Sequence, residues 1–285
     1  MYEGVDYQEY WNDPSLESLD ELERRVAADL LPECGRRLID IGCGYGRMSD
    51  CYAGRFEDVI LFDGSPHLLR QARERKLKNA AFIAGDFNHL PFKKASFDAA
   101  LVIRVVQHMT DLRASFKRIH RILCQNGRLT FSYHNKLNAR RVLRWLISRE
   151  KKSPFTLDSE EVSATLLSRH PKVISRILQE TGFCPSGYRG VGVFDRVAAR
   201  LGPWARFLPS GEGLSPLLGQ AKLAPWIFEN AVAKGNGLLA EANSLEDILQ
   251  CPSCGGNVRK GTDVYECLSC KLSYPIRDGI IDFRI

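Results

Sequence analysis

The chain is predicted to be an α/β protein: a doubly wound parallel sheet with helical insertions, followed by a small cysteine-rich unit. Three observations predict it. Short apolar runs alternate with helical patterns from Leu38 to Tyr133, the signature of strands joined by crossover helices. The first run, Leu38-Ile39-Asp40-Ile41, enters a turn with glycine at every second position, Gly42, Gly44 and Gly46. The last 42 residues, 244–285, hold two CxxC pairs.

At 285 residues, with 44% hydrophobic and 26% charged residues, the chain is long enough for one large and one small domain. The expected division is 1–243 and 244–285, with a helical, substrate-side insertion over about 136–210. No apolar run approaches the roughly 20 residues that span a bilayer, and the first residues form no basic or apolar signal region. The expectation is a cytoplasmic protein without a membrane span. The net charge of +6 is concentrated, because Lys136 to Lys152 contains seven Lys or Arg against the single Glu150.

The elements follow in order. Leu19, Leu22, Val26 and Leu30 fall on one face of a helix that Pro32 should end. A helix is expected directly after the glycine turn, which would leave backbone N–H groups free to meet a polar ligand at the sheet's carboxyl edge. Val59 to Phe62 is the second strand, closed by Asp63; Ser65 is placed to cap the next helix, with Pro66 at its first position. Ala80 to Ala84 and Phe97 to Ile103 are further strands. A helix from Leu112 to Leu123 should end at Asn126-Gly127, with Gly127 as its left-handed cap, before the strand Arg128 to Tyr133. Strand ends bearing Gly42, Asp63, Asp86, Arg104 and Tyr133 should then converge on one edge.

Beyond Tyr133 the elements are helices over Asn138–Lys152, Ser159–Ser168 and His170–Glu180, then strands over Tyr188–Phe194 and Phe228–Lys234, with a linker from Gly235 to Ser244. Ala139, Val142, Leu143, Leu146 and Ile147 share one side of the first helix, and Arg140, Arg141 and Arg144 another. That basic side reads either as a solvated face or as a dock for oxyanions.

The glycine spacing argues against a dinucleotide, because the third small residue of that fingerprint is replaced by Arg47. The series Asp40-x-Gly42-x-Gly44-x-Gly46, followed by Asp63, instead resembles motif I and the next acidic strand end of the class I S-adenosyl-L-methionine (SAM) methyltransferases. The resemblance implies a Rossmann-like sheet and a SAM site made of Asp40, Gly42, Cys43, Gly44, Gly46, Asp63, Gly64, Ser65, Gly85, Asp86, Phe87, Ile103 and Arg104. In that family Asp63 would take the ribose hydroxyls and Asp86 would lie near the adenine amino group; as a plain turn residue, Asp86 would bond its own backbone. Tyr10 and Trp11 match a leading aromatic segment that often folds over the cofactor, although simple packing on the first helix accounts for them equally.

After the fourth strand the chain reads Arg104-Val105-Val106-Gln107-His108-Met109, without the Asn/Asp-Pro-Pro-Tyr-like motif of amide and adenine methylases. That segment resembles small-molecule methyltransferases, including the quinone-biosynthesis type. His108 and His134 are the candidate bases, Tyr133 and Arg104 orienting groups, and Tyr10, Trp11, Tyr133, Arg140 and Arg144 the substrate contacts.

Cys251, Cys254, Cys267 and Cys270, with twelve residues between the pairs, have the spacing of a zinc ribbon. Four thiolates leave no open position, so Zn2+ is expected to be structural, supplying folding energy to a unit too small for a large core. Together with Tyr274-Pro275-Ile276-Arg277-Asp278-Gly279-Ile280-Ile281, the tail resembles the small zinc-binding activator that partners tRNA, ribosomal-RNA and release-factor methyltransferases as a separate subunit. The expected function is methyl transfer to an O, N or C nucleophile of a small, anionic metabolite or biosynthetic intermediate. An RNA or protein methyltransferase assisted in cis by its tail is the alternative, with nucleic acid the less favoured partner, and a non-catalytic SAM-binding module is a third. Oligomeric state has no signature in the sequence.

Overall fold

The apolar run that begins the alternation forms strand β1 (Gly35–Ile41), buried over its last five residues. A computed structural model describes residues 11–163, 166–192 and 222–284. β1 lies between two parallel neighbours, β2 (Phe56–Asp63) and β4 (Phe97–Val102). β3 (Ala80–Ala84) extends the parallel sheet beyond β2, and β5 (Leu123–His134) beyond β4. Two strands from later in the chain then add antiparallel, β9 (Trp226–Ala233) on β5 and β8 (Phe183–Val191) on β9. The sheet is therefore mixed, with a five-stranded parallel centre.

Helices cover both faces. On one side α1 (Glu17–Leu30) buries Val26, Ala27 and Leu30. On the other, α3 (Leu112–Ile122) and α5 (Pro171–Glu180) place Phe116, Ile119, Ile174 and Leu178 in one apolar core. The caps are side-chain oxygens: Ser65 accepts from Leu68 N at 3.4 Å at the start of α2 (Pro66–Glu74), and Asp111 accepts from Ala114 N at 2.9 Å ahead of α3.

Several local expectations are corrected. No α-helix follows the glycine turn; turns lead to a single 3-10 segment, Ser49–Cys51, whose Ser49 and Cys51 are buried. Helix α3 ends at Ile122 and passes directly into β5, so the left-handed residue is Asn126 (φ 63°) inside the strand and not Gly127 as a cap. Where a helix was expected over 159–168, β6 (Glu160–Ser163) and β7 (Leu166–Ser168) pair antiparallel. The basic helix is short, α4 (Ala139–Leu146), and its Leu143, Leu146 and Ile147 side is exposed. The expected strand 188–194 begins earlier, at Phe183, and residues 193–194 lie outside the described residues.

The segment read as a linker is fastened to the sheet. Arg37, fully buried, donates to Ser96 O at 2.8 Å and to Ala240 O at 2.5 Å, and Arg36 donates to Ala242 O at 2.6 Å. A short helix, α6 (Leu245–Ile248), leads into the cysteine-rich tail. There β10 (Val258–Lys260), β11 (Val264–Cys267) and β12 (Ser273–Arg277) form an antiparallel meander. The last strand, β13 (Ile280–Asp282), pairs antiparallel with β12 and parallel with β3. The tail thus extends the sheet past its β3 edge, giving eleven strands among the described residues.

Candidate functional site

The loop after β1 is built by glycine conformations that other residues rarely adopt. Gly42, Gly44 and Gly46 have φ of 71°, 55° and 75°. A Cβ on Gly42 would lie 2.4 Å from Val105 Cγ2, so the loop packs directly on the segment following β4. At Gly44 a Cβ would meet nothing within 4 Å. The loop is tied to the next strand, since Gly42 N donates to Phe62 O at 2.7 Å and Gly44 N to the Asp63 carboxylate at 2.9 Å.

Asp63 closes β2 in the same way, its second oxygen accepting from Ser65 N at 2.9 Å. Burial raises its carboxyl above the ordinary carboxylate range, against the backbone N–H groups of Ser65 and Gly44, which hold it down. Asp40 is more strongly displaced: burial pushes it up to about 7, although Tyr52 donates to it at 2.8 Å. Asp40 is therefore a buried member of the loop's support. Cys43 is also buried, and with Asp63 and Asp40 beside it its thiol stays well above the ordinary range, which rules it out as a ready nucleophile.

These residues line a cleft of about 700 Å³ at the carboxyl ends of the parallel strands. Gly64, Ser65, Gly85, Asp86, Phe87, Ile103 and Arg104 line it too, so every residue assigned to the SAM site except Gly46 reaches its wall. Gly46 instead packs beneath the loop, where a Cβ would stand 3.3 Å from Ala72 Cβ. Asp86 makes the turn contacts of a plain turn residue, accepting from Asn88 N at 2.9 Å, while remaining on the cleft wall.

Another part of the wall is aromatic and carries paired charges. Arg104 adopts φ 61°, lies 3.4 Å above the Trp226 ring and reaches the fully buried Glu23 with Nε at 3.0 Å. Glu23 also accepts from Arg47 at 2.9 Å, and Arg47 sits 3.8 Å over the Trp11 ring. Gln107 and His108 complete this side, with Gln107 Nε2 at 3.2 Å from His108 Nε2. Among the described residues, Arg47 and Arg104 are neutralised by Glu23 and Asp20, so this wall is polar without a large net charge.

Other expected contacts are not brought together here. Tyr10 lies outside the described residues. Tyr133 is completely buried in the sheet, and Arg140 and Arg144 are on α4, away from the cleft wall. His134 is not on the wall either; it packs edge-on to Trp226 at 5.0 Å and meets Ser168 Oγ at 3.1 Å. Burial, followed by the positive Arg104 and Arg141, pushes its imidazole down to about 4, so it is neutral near pH 7.

Residues unassigned from the sequence also form the site, notably Glu23, Arg47, Trp226, Ser163, Leu166 and Arg284. Glu23 carries one legible signal, an acid four residues after Leu19 on the apolar side of α1. Arg284 arrives from the tail because β13 runs alongside β3, and Phe283 N donates to Ala84 O at 2.8 Å.

The four tail cysteines form a second constellation. Their Sγ atoms all lie within 4.8 Å of one another, with Cys251–Cys270 at 3.6 Å and Cys254–Cys267 at 3.5 Å. Tetrahedral bonds of about 2.3 Å imply edges of about 3.8 Å, so the donor set fits a four-coordinate metal. Gly256 N and Cys270 N each point at a sulfur from 3.4 Å, as suits thiolates sharing one ion.

Comparison with known proteins agrees with this geometry. Residues 39–131 match the family model described as a methyltransferase domain. The chain is 30% identical over 143 residues to the O-methyltransferase cnsE of Penicillium expansum, covering 46% of this chain and 52% of that protein. It is 33% identical over 122 residues to a malonyl-[acyl-carrier protein] O-methyltransferase of Pseudescherichia vulneris, covering 41% and 48%. The chain thus spans about half the length of the curated relatives it matches. A solved complex between the Haloferax volcanii Trm112 methyltransferase activator and a putative methyltransferase shares the fold, at TM-score 0.54 and 18% identity over 81% of this chain and 99% of that one. The chain therefore has the Rossmann-like α/β fold of solved SAM-dependent methyltransferases, and its residues 39–131 match a methyltransferase domain.

Proposed function

We propose that this chain transfers a methyl group from SAM to an oxygen nucleophile of a small metabolite held between Trp11, Arg104, His108 and Trp226. The observation that supports this most directly is one cleft lined both by the glycine loop with Asp63 and by aromatic and hydrogen-bonding side chains. The O-methyltransferase names of the curated relatives favour oxygen over nitrogen or carbon.

Bound SAM would supply an activated methyl sulfonium, leaving the protein to bind, orient and exclude water. Gly44, where a Cβ would meet open space, admits a ligand against the backbone, and Asp63 is the carboxylate we assign to the sugar hydroxyls. His108, on the acceptor wall, is the group available to take a proton from a hydroxyl; His134 supports Trp226 from behind. An acceptor that is already anionic, such as a carboxylate, needs no base, and Arg104 is the cation nearest to hand.

For the tail we propose a structural Zn2+ on Cys251, Cys254, Cys267 and Cys270 and a role as a built-in companion of the catalytic sheet. The parallel pairing of β13 with β3 supports this reading, as does the likeness to a methyltransferase solved with its activator. The test is calorimetric titration of the full, metal-loaded chain with S-adenosylhomocysteine, followed by methyl-labelled SAM in metabolite extracts read by mass shift. Micromolar binding and a methylated small molecule are expected; no uptake of the nucleoside would overturn the reading, and product only on RNA or protein would move it to that class.

A further inference from the structure

Six of the nine large apolar side chains that stand exposed among the described residues lie between Leu143 and Val162. They are Leu143, Leu146, Ile147, Phe155, Leu157 and Val162, and Leu146 is 64% exposed. Three of them, Leu143, Leu146 and Ile147, adjoin one another, and a cluster of exposed apolar side chains marks an interaction site where scattered single ones do not. At 100° per residue Leu146 and Leu143 of α4 adjoin Ile147, which directly follows the helix, and Arg140 and Arg144 continue the same exposed sector, Arg144 paired with Glu150 at 3.4 Å. The opposite side faces the protein: Arg141 is paired with Glu160, and Trp145 meets the Phe155 ring edge-on at 5.5 Å. The helix is thus anchored by its polar and aromatic side and presents its aliphatic side outward. Exposed Arg149, Lys151 and Lys152 follow it directly.

We propose that the exposed aliphatic side of α4, with the basic residues that follow it, docks peripherally on an anionic lipid surface. An aliphatic stripe bordered by Arg and Lys matches the boundary between acyl chains and acidic headgroups, where apolar burial and charge attraction act together. A nucleic-acid surface would use the cations but would leave the leucines in water. No helix among the described residues is long and apolar enough to cross a membrane, so the attachment is peripheral. The docking stands apart from the proposed methyl transfer and is tested without it.

The test is co-sedimentation of the full, metal-loaded chain with vesicles of phosphatidylcholine alone or mixed with phosphatidylglycerol. Binding is expected only to the anionic vesicles and should weaken in high salt. Leu146→Asp with Ile147→Asp should lower the bound fraction by about tenfold, with melting temperature and S-adenosylhomocysteine titration unchanged. Arg149→Glu with Lys151→Glu and Lys152→Glu should remove the preference for anionic lipid. No binding to the anionic vesicles would overturn the proposal. So would a drop in melting temperature in the Asp variant, which would show these side chains packed against the chain itself. Equal loss of an RNA complex or of a dimer, with lipid binding absent, would assign the face to that partner and likewise overturn it.

Discussion

Ile281 of the cysteine-rich tail lies in parallel register with Ile83 of β3, and the tail's chain end runs on to place Arg284 at the wall of the cleft. The tail therefore covers an edge that would otherwise expose unpaired N–H and C=O groups. Its own aromatic residues lock onto the joint, with the Tyr274 and Phe283 ring centroids 4.7 Å apart.

Metal removal is expected to be felt by the whole catalytic sheet. Chelation, or Cys267→Ser, should lower the melting temperature by at least about 5 °C and weaken S-adenosylhomocysteine binding. Arg284→Ala should weaken the binding while leaving melting unchanged. Calorimetry beside thermal unfolding separates the two effects, and an unaltered melting curve after complete chelation would refute the structural role of the ion.

The two outer cleft glycines provide a matched pair. Gly42→Ala combines a positive φ with a 2.4 Å collision, whereas Gly44→Ala carries the backbone strain alone. The first should cost about 2–3 kcal/mol and abolish measurable nucleoside binding, and the second about 1 kcal/mol. Urea unfolding of both variants tests the ordering.

Glu23 is fully buried between Arg47 and Arg104. Glu23→Gln removes the charge both guanidinium groups face, which should destabilise the fold by about 3–5 kcal/mol. Arg104 would lose its hold above Trp226, so Trp fluorescence should change as well. Wild-type stability in this variant would contradict the arrangement.

Asp63→Ala should weaken S-adenosylhomocysteine by at least tenfold, as expected for about 1.5–3 kcal/mol from a charged hydrogen bond. Asp63→Asn, which keeps an acceptor for one of the two N–H groups of Gly44 and Ser65, should recover part of the loss. Titration calorimetry reads both.

The pH dependence has a worked sign. His134 is pushed down to about 4 from 6.5 in the fold, so between these values the unfolded chain binds the extra proton and stability falls as pH falls. Asp40, raised from 3.8 to about 7, binds its proton more readily when folded, so its contribution is lost as pH rises through that range. The two slopes oppose each other. Comparing His134→Gln with the parent between pH 4 and 6.5 isolates the first: the loss on acidification should shrink by about 2–3 kcal/mol at most.

Local order along the chain was enough to reveal the strand ends, the glycine loop, Asp63 and the four cysteines, because each depends on short-range periodicity or fixed spacing. Ser65 caps its helix for the same reason. β6 and β7 form where a helix was expected because strand pairing rewards contacts that a helical apolar pattern does not register. The exposed aliphatic side of α4 escaped the periodic reading because amphipathicity identifies two faces without saying which one the fold covers. Only the tertiary structure joined Glu23 to Arg47 and Arg104, set Trp226 against Arg104 and carried Arg284 into the cleft. These contacts join residues far apart in the chain, and their geometry arises from sheet order, from the Arg104 backbone at positive φ and from exclusion of water around paired charges.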